Sequence, residues 1–347
     1  YMCEDTMKLF QRLLVAPAAL GLMAPVAANA DTAFSSTTTL SGSAVFTVGS
    51  VADGGTADTQ EELYMQYAYG LDINSSFTGE DLFYAGIETG NASGPLANMD
   101  SAVAATNSDA LEVTSLFYSF PVGDLSVTAG PLVDQDDVVA ATLSAHSEGF
   151  RLGSMPFSLD DSLTGPGLGV AYAGDNGFVA SASFVSIDGS TSTVGIGGDD
   201  GDDVSTFTVG YNGEGFGGGL VLASHDGENA STEAYDTFGG GIYYTPESIP
   251  ATISVAYDSK DNDGTTKDRT DLFVGVDYEV GPGSLSIAYN ATDVDGGSGT
   301  DDDTTGFEVS YSYAVNDNLT ITPGYFSVED NTGEDDNGVV VETAFSF

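Results

Sequence analysis

The spacers of this chain constrain its fold more than any single motif does. From about residue 40 to Phe347, segments of roughly ten alternating apolar and polar residues are joined by two kinds of connection in strict turn. One kind is tight, as in VGD (122–124), DNG (175–177) and NDN (316–318). The other is long and rich in Asp, Gly and Thr. Ten-residue amphipathic segments with short turns at one rim and long loops at the other describe an all-β, antiparallel, up-and-down transmembrane barrel.

The clearest segment runs from Glu62 to Phe77. Leu63, Met65, Tyr67, Tyr69, Leu71, Ile73 and Phe77 share one phase, and Glu62, Gln66, Asp72, Asn74 and Ser76 share the other. A period of two puts one set toward lipid and the other toward the lumen, whereas a helix needs spacings of three and four. Leu272 to Val280, Leu285 to Tyr289, Phe307 to Tyr313 and Val339 to Phe347 repeat the pattern. The count is sixteen segments, an even number that returns both termini to one rim. Two are irregular. Residues 111–120 are apolar in both phases, consistent with a face buried against a neighbouring subunit, and FGGGLVLASH (216–225) is glycine-rich and poorly phased.

Composition agrees. There is no Trp, glycine is abundant and mean hydropathy is near zero. No stretch of 18 apolar residues is present, so the sequence contains no spanning helix. The formal net charge is −47, with six Lys and Arg residues in all. Nucleic acid is excluded as a partner, because phosphate contacts need cationic side chains.

Residues 1–6 read as upstream of the start, and residues 7–30 as a secretory signal peptide. Lys8 and Arg12 precede an apolar run that ends at Ala28-Asn29-Ala30, so cleavage is expected near Ala30. Residues 31–347 then form the barrel. Cys3 is the one cysteine, so the exported chain is expected to carry no thiol chemistry.

One connection breaks the loop pattern. Residues 132–168, which follow the fifth strand, are less glycine-rich and more apolar than the other long loops, and DQDDVVAATLSAH within them reads as a short capped helix. Long loops in compact folds are commonly functional. This loop is the candidate constriction, with Asp134, Asp136, Asp137, Glu148, Asp160 and Asp161 as acidic candidates and Arg151 as its lone cation. Acidic rings favour cations. Asp72, Asp277, Glu308 and Glu342 are further lumen-facing candidates. The bland alternatives are that the acids solvate the loop and that Arg151 pairs with them structurally. The connections DSKDNDGTTKD (258–268) and DVDGGSGTDDDTT (293–305) read as solvated external tips.

Catalysis and metal binding find no support. His146 and His225 are the only histidines, both in loop-like surroundings, and Ser147 beside His146 does not make a triad. GGSGTD (296–301) is half of a calcium nonapeptide in a single copy, and Asp261-Asn262-Asp263-Gly264 is a fragment of a calcium loop without its terminal Glu. No cofactor, metal or enzyme activity is expected.

The leader MKLFQRLLVAPAALGLMAPVAANA, the block ELYMQYAYGLDINSSFTGEDLFYAGIETGNA and the terminal AFSF resemble outer-membrane porins of marine cyanobacteria. That resemblance implies a sixteen-stranded, general-diffusion homotrimer in the outer-membrane lipid, passing small ions and hydrophilic solutes. It implies a loop after the fifth strand folded into the lumen, and a C-terminal aromatic, here Phe347, read by the barrel-assembly machinery. Many such porins carry a surface-layer-homology domain ahead of the barrel; about ten residues separate Ala30 from the first strand here, so this chain is expected to lack it. The expected function is a cation-preferring porin. The alternatives are a non-conducting surface or adhesive β-protein and a solute-specific porin.

Overall fold

The computed structural model describes residues 37–52, 61–104, 110–146, 152, 163–198, 201–227, 233–264, 268–295, 303–330 and 335–347. Sixteen strands form one closed sheet. They are β1 (Thr38–Ala52), β2 (Tyr64–Ser75), β3 (Leu82–Gly90) and β4 (Glu112–Val122). Next come β5 (Leu125–Asp134), β6 (Thr164–Ala173), β7 (Phe178–Ser186) and β8 (Asp202–Asn212). The second half holds β9 (Phe216–Gly227), β10 (Tyr235–Tyr244), β11 (Ala251–Asn262) and β12 (Asp268–Val280). The last four are β13 (Gly283–Asp295), β14 (Thr304–Asn316), β15 (Leu319–Asp330) and β16 (Asp336–Ser346). Every neighbour in sequence is a neighbour in space, all pairs are antiparallel, and β16 returns to pair with β1. Closure removes sheet edges, so backbone polar groups are satisfied within the sheet, as a hydrocarbon environment requires.

The two phases separate as the alternation predicts. Phe46, Met65, Leu168, Phe207, Leu220, Ile242, Leu272, Phe307 and Val339 are exposed on the outer face. Their neighbours Thr47, Gln66, Thr206, Thr208, Asp271, Glu308 and Ser310 are buried on the inner face. Aromatic pairs cluster at the rim of short turns: Phe46 with Phe345, Tyr69 with Phe347, Tyr118 with Phe120, and Tyr211 with both Phe178 and Phe216, at centroid separations of 5.2 to 6.2 Å. That is the expected position of an interfacial girdle.

At the same rim, the six-residue turn after β2 is organised by Asp81. Its Oδ1 accepts bonds from Ser76 Oγ and the N–H groups of Phe77 and Thr78, and its Oδ2 accepts the Tyr118 hydroxyl. Burial disfavours the charged carboxylate here. The bonds from Tyr118, Thr78 and Ser76 outweigh it and hold Asp81 well below the usual carboxylate range.

Several boundaries differ from the sequence reading. β6 begins at Thr164, not 168, because Gly165 and Gly167 let the strand pass within contact of Ser186 and Val133. β11 runs on to Asn262 and β13 to Asp295, so much of the two presumed external tips is strand. His225 is not in a loop; it is an inner-face residue of β9, stacked on Tyr235 at 4.5 Å, and Lys260 Nζ lies 3.6 Å from the Tyr235 ring centre.

Candidate functional site

The connection after β5 spans residues 135–163. Its described part, Gln135 to His146 and then Leu152, lies on the inner wall from β6 to β14. The wall is prepared for it by glycine. A side-chain carbon at Gly169 of β6 would meet Val138, and at Gly210 of β8 or Gly219 of β9 it would meet Ala141. At Gly241 of β10 it would lie 2.0 Å from the Leu143 carbonyl oxygen. Gly275 of β12 faces His146 in the same way, and Gly306 of β14 faces Leu152. All six glycines occupy the inner phase of their strands, where a polar side chain would otherwise stand.

Wall side chains supply the loop's hydrogen bonds. Gln135 Nε2 donates to Thr206, the Ala140 N–H to Ser181 and the Thr142 N–H to Asn212 Oδ1. Asn212 Nδ2 returns a bond to the Ala140 carbonyl, and the Ala145 N–H donates to Ser254. These partners replace the internal ladder of a helix. Residues 135–146 are therefore not the short helix their composition suggested; beyond two turns at Asp134 to Val139 they form irregular coil. β-branched Val138, Val139 and Thr142 favour that outcome. Val138, Val139 and Leu143 are buried against Phe117, Ala171, Val179 and Val221. Each large apolar side chain so buried contributes about 1.5–3 kcal/mol to seating. This also explains the two-phase apolarity of β4. Phe117 turns inward and is covered by the chain's own loop.

The acidic candidates separate into groups. Asp134, Asp136 and Asp137 come together where β5 ends. The Asp134 N–H donates to Asp137 Oδ2 at 2.8 Å, and Asp134 Oδ2 accepts from Thr164 Oγ1. Burial, joined by the Asp134 charge, raises Asp137 to about 7, partly offset by the bond from the Asp134 N–H. Burial and the charges of Asp134 and Asp137 likewise push Asp136 well above the carboxylate range. Near neutral pH this group therefore carries fewer charges than three carboxylates would. Glu148, Arg151, Asp160 and Asp161 lie outside the described residues.

The four wall acids face inward, and each holds something. Glu308 Oε2 accepts the Leu152 N–H at 3.0 Å. Asp277 Oδ2 lies 3.1 Å from His146 Nδ1, and its Oδ1 accepts from Ser286. Asp72 accepts the Tyr84 hydroxyl at 2.6 Å. Glu342 accepts from Ser101 Oγ. Three of the four thus fasten loops to the wall.

Ser101 belongs to a second inward loop that sequence reasoning missed, the connection between β3 and β4. It enters with a short 3-10 turn, Gly94–Asn98, that seats Leu96 and, just beyond, Met99 against Val51, Phe326 and Val340. Tyr64 bridges it, donating to the Ser93 carbonyl and accepting the Leu96 N–H, while Gln66 donates to the Leu96 carbonyl. Its seat is the β1, β2, β15 and β16 wall, which continues from the β14 end of the glycine track. Glu88 of β3 stands diagonal to Asp72 across the β2–β3 register, and Tyr84 lies among Asp72, Asp137 and Glu88.

The final prediction, Phe347, sits at the seam. Its carbonyl accepts the Gly42 N–H at 2.8 Å and its own N–H donates to the Gly42 carbonyl at 3.0 Å, so the last residue extends the β1–β16 ladder.

Among the described residues no group of three His, Cys, Asp or Glu side chains is arranged to hold a metal ion. Solved barrels share the fold. OmpT of Vibrio cholerae lacking its loop L8 superposes with a TM-score of 0.64 at 14% identity, covering 90% of this chain and 99% of that one. OprB of Pseudomonas putida gives 0.66 at 10% identity, covering 90% and 94%. An anion-selective porin from Comamonas acidovorans gives 0.61 at 15% identity, covering 89% and 99%. No curated protein sequence matches the chain. The Gram-negative porin family model, however, matches residues 16–345, and a match of that length, over a closed sixteen-stranded barrel, shows that the chain belongs to the Gram-negative porins.

Proposed function

We propose that the protein is a general-diffusion porin of the outer membrane that passes small ions and hydrophilic solutes with a preference for cations. Sixteen strands leave an aqueous lumen rather than a packed core. The observation that carries the cation preference is the gathering of Asp134, Asp136 and Asp137 at the root of the inward loop, near Asp72 and Glu88. A permeant ion about 5 Å from one unit charge gains or loses roughly 1–3 kcal/mol across effective dielectrics of 80 to 20. A few carboxylates at the narrowest level therefore suffice. In salty surroundings the Debye length falls to a few ångströms, so charges on remote loops contribute little. Glu148, Asp160, Asp161 and Arg151 remain part of the proposed filter.

The assembly proposed is a homotrimer, made after removal of residues 1–30 and inserted through recognition of Phe347. A trimer form of the Vibrio cholerae OmpT superposes on this chain with a TM-score of 0.62. The chain has no assigned catalytic role in this reading.

Recording from purified protein in planar bilayers tests the proposal. Step conductances with a reversal potential toward the cation equilibrium potential are expected. Silence from correctly folded protein would favour a structural or adhesive role, anion preference would remove the selectivity assignment alone, and saturable flux of one solute would point to a specific porin.

A further inference from the structure

The β3–β4 loop has a wall-facing side and an opposite side. Pro95, Leu96 and Met99 are buried, while Ser93, Gly94 and Asn98 are exposed. The buried side is fixed to β1, β2, β15 and β16 through Leu96, the Tyr64 and Gln66 bonds, and Ser101 on Glu342. The exposed side therefore faces away from the barrel wall. The described part of the β5–β6 loop lies on the wall from β6 to β14, so the two loops divide the inner wall between them, and Val328 of β15 packs against both the Leu96 and the Leu152 clusters.

We propose that the β3–β4 loop is the second jaw of the constriction. Permeating ions pass between it and the β5–β6 loop, and Asn98, with neighbouring Asp100, is a specificity-determining position of the path. The floor between the jaws is the inner face of β2 and β3, where Asp72, Tyr84 and Glu88 stand. A filter of this form takes hydrated cations between two independently anchored loops, so its charge can be altered on either side without disturbing the other. The proposal rests on the porin reading.

The test introduces Asn98→Cys in a Cys3→Ser background and records single channels before and after thiol modification with a cationic and an anionic methanethiosulfonate reagent. Both labels should lower the unit conductance. The cation-to-anion permeability ratio at low salt should be higher with the anionic label than with the cationic one, by at least about fivefold, since one unit charge at roughly 4–5 Å in water already changes the local concentration of a single ion about that much. A second variant, with Ser93 to Ser101 replaced by Gly-Ser-Gly, should conduct more than the parent. Complete labelling, verified by mass, with unchanged conductance and reversal potential would overturn the second jaw, as would a shortened loop with parental conductance. If the unmodified parent passes no current, it is the porin reading that fails.

Discussion

Replacing Gly241 by alanine isolates the inward loop from the barrel that carries it. The added methyl would stand 2.0 Å from the Leu143 carbonyl oxygen and 2.9 Å from its carbon, where ordinary contact begins near 3.4 Å. The loop must therefore retreat by about 1.4 Å at that point, away from the wall and into the passage. The strand has no reason to object. Gly241 has no left-handed backbone, and alanine in a strand interior is favoured over glycine by about 0.5–1 kcal/mol. The loop loses part of the burial of Leu143, which is worth about 1.5–3 kcal/mol when complete. The expected result is an intact, heat-modifiable barrel on gels, with a lower unit conductance and more current noise in bilayers. Gly240→Ala is the matched control, because its methyl meets Leu220 on the outer face of the same strand and leaves the loop alone. Parental conductance and noise in a folded Gly241→Ala barrel would refute the placement of this loop on the permeation path.

Cation preference should weaken as pH falls from about 8 to about 6, because Asp137 titrates near 7 and Asp136 is also raised; a reversal potential flat across that range would contradict it. Seating follows the same sign: because Asp137 is raised from the ordinary carboxylate range to about 7, the buried loop is held best below about pH 4 and loosens progressively as pH rises to about 7, which hydrogen exchange of Val138 to Leu143 would register. Glu308→Ala leaves the Leu152 N–H without its acceptor at a cost of about 1–3 kcal/mol, so excess channel noise is expected, and Glu308→Gln should restore quiet current because an amide oxygen still accepts. Asp81→Ala should lower the barrel's melting temperature, and the wild-type contribution of Asp81 should persist above about pH 4 and fade below it, since its carboxyl is held low in the folded state.

The barrel was legible because its code is local. Two-residue alternation in segments such as Leu272 to Val280, cut by turns such as Gly281-Pro282, needs no knowledge of distant contacts. The position of the odd loop followed from its composition. Its conformation did not, because Ala140, Thr142 and Ala145 take their bonding partners from Ser181, Asn212 and Ser254, which lie 41 to 109 residues away. A signal for the track was present all the same. Gly169, Gly210, Gly219, Gly241, Gly275 and Gly306 stand at inner-phase positions of strand after strand, and the weak phasing of FGGGLVLASH was one piece of it. The β3–β4 loop gave less warning, because Leu96, Met99 and Val103 are scattered among small and polar residues with no strand period. The wall acids were assigned to the lumen from phase alone; that Glu308, Asp277 and Glu342 hold loops there depends on contacts over 131 to 241 residues of sequence, which phase cannot reveal.

The seat of the β3–β4 loop also lies across the line where the two ends of the sheet meet. Leu96 rests on Val51 of the first strand and Val340 of the last, so its socket does not exist until those strands have paired. Its burial therefore rewards the final act of closure and no earlier stage of assembly. A barrel still open between β1 and β16 would leave Leu96 and Met99 uncovered, and closing it would latch the cylinder from within.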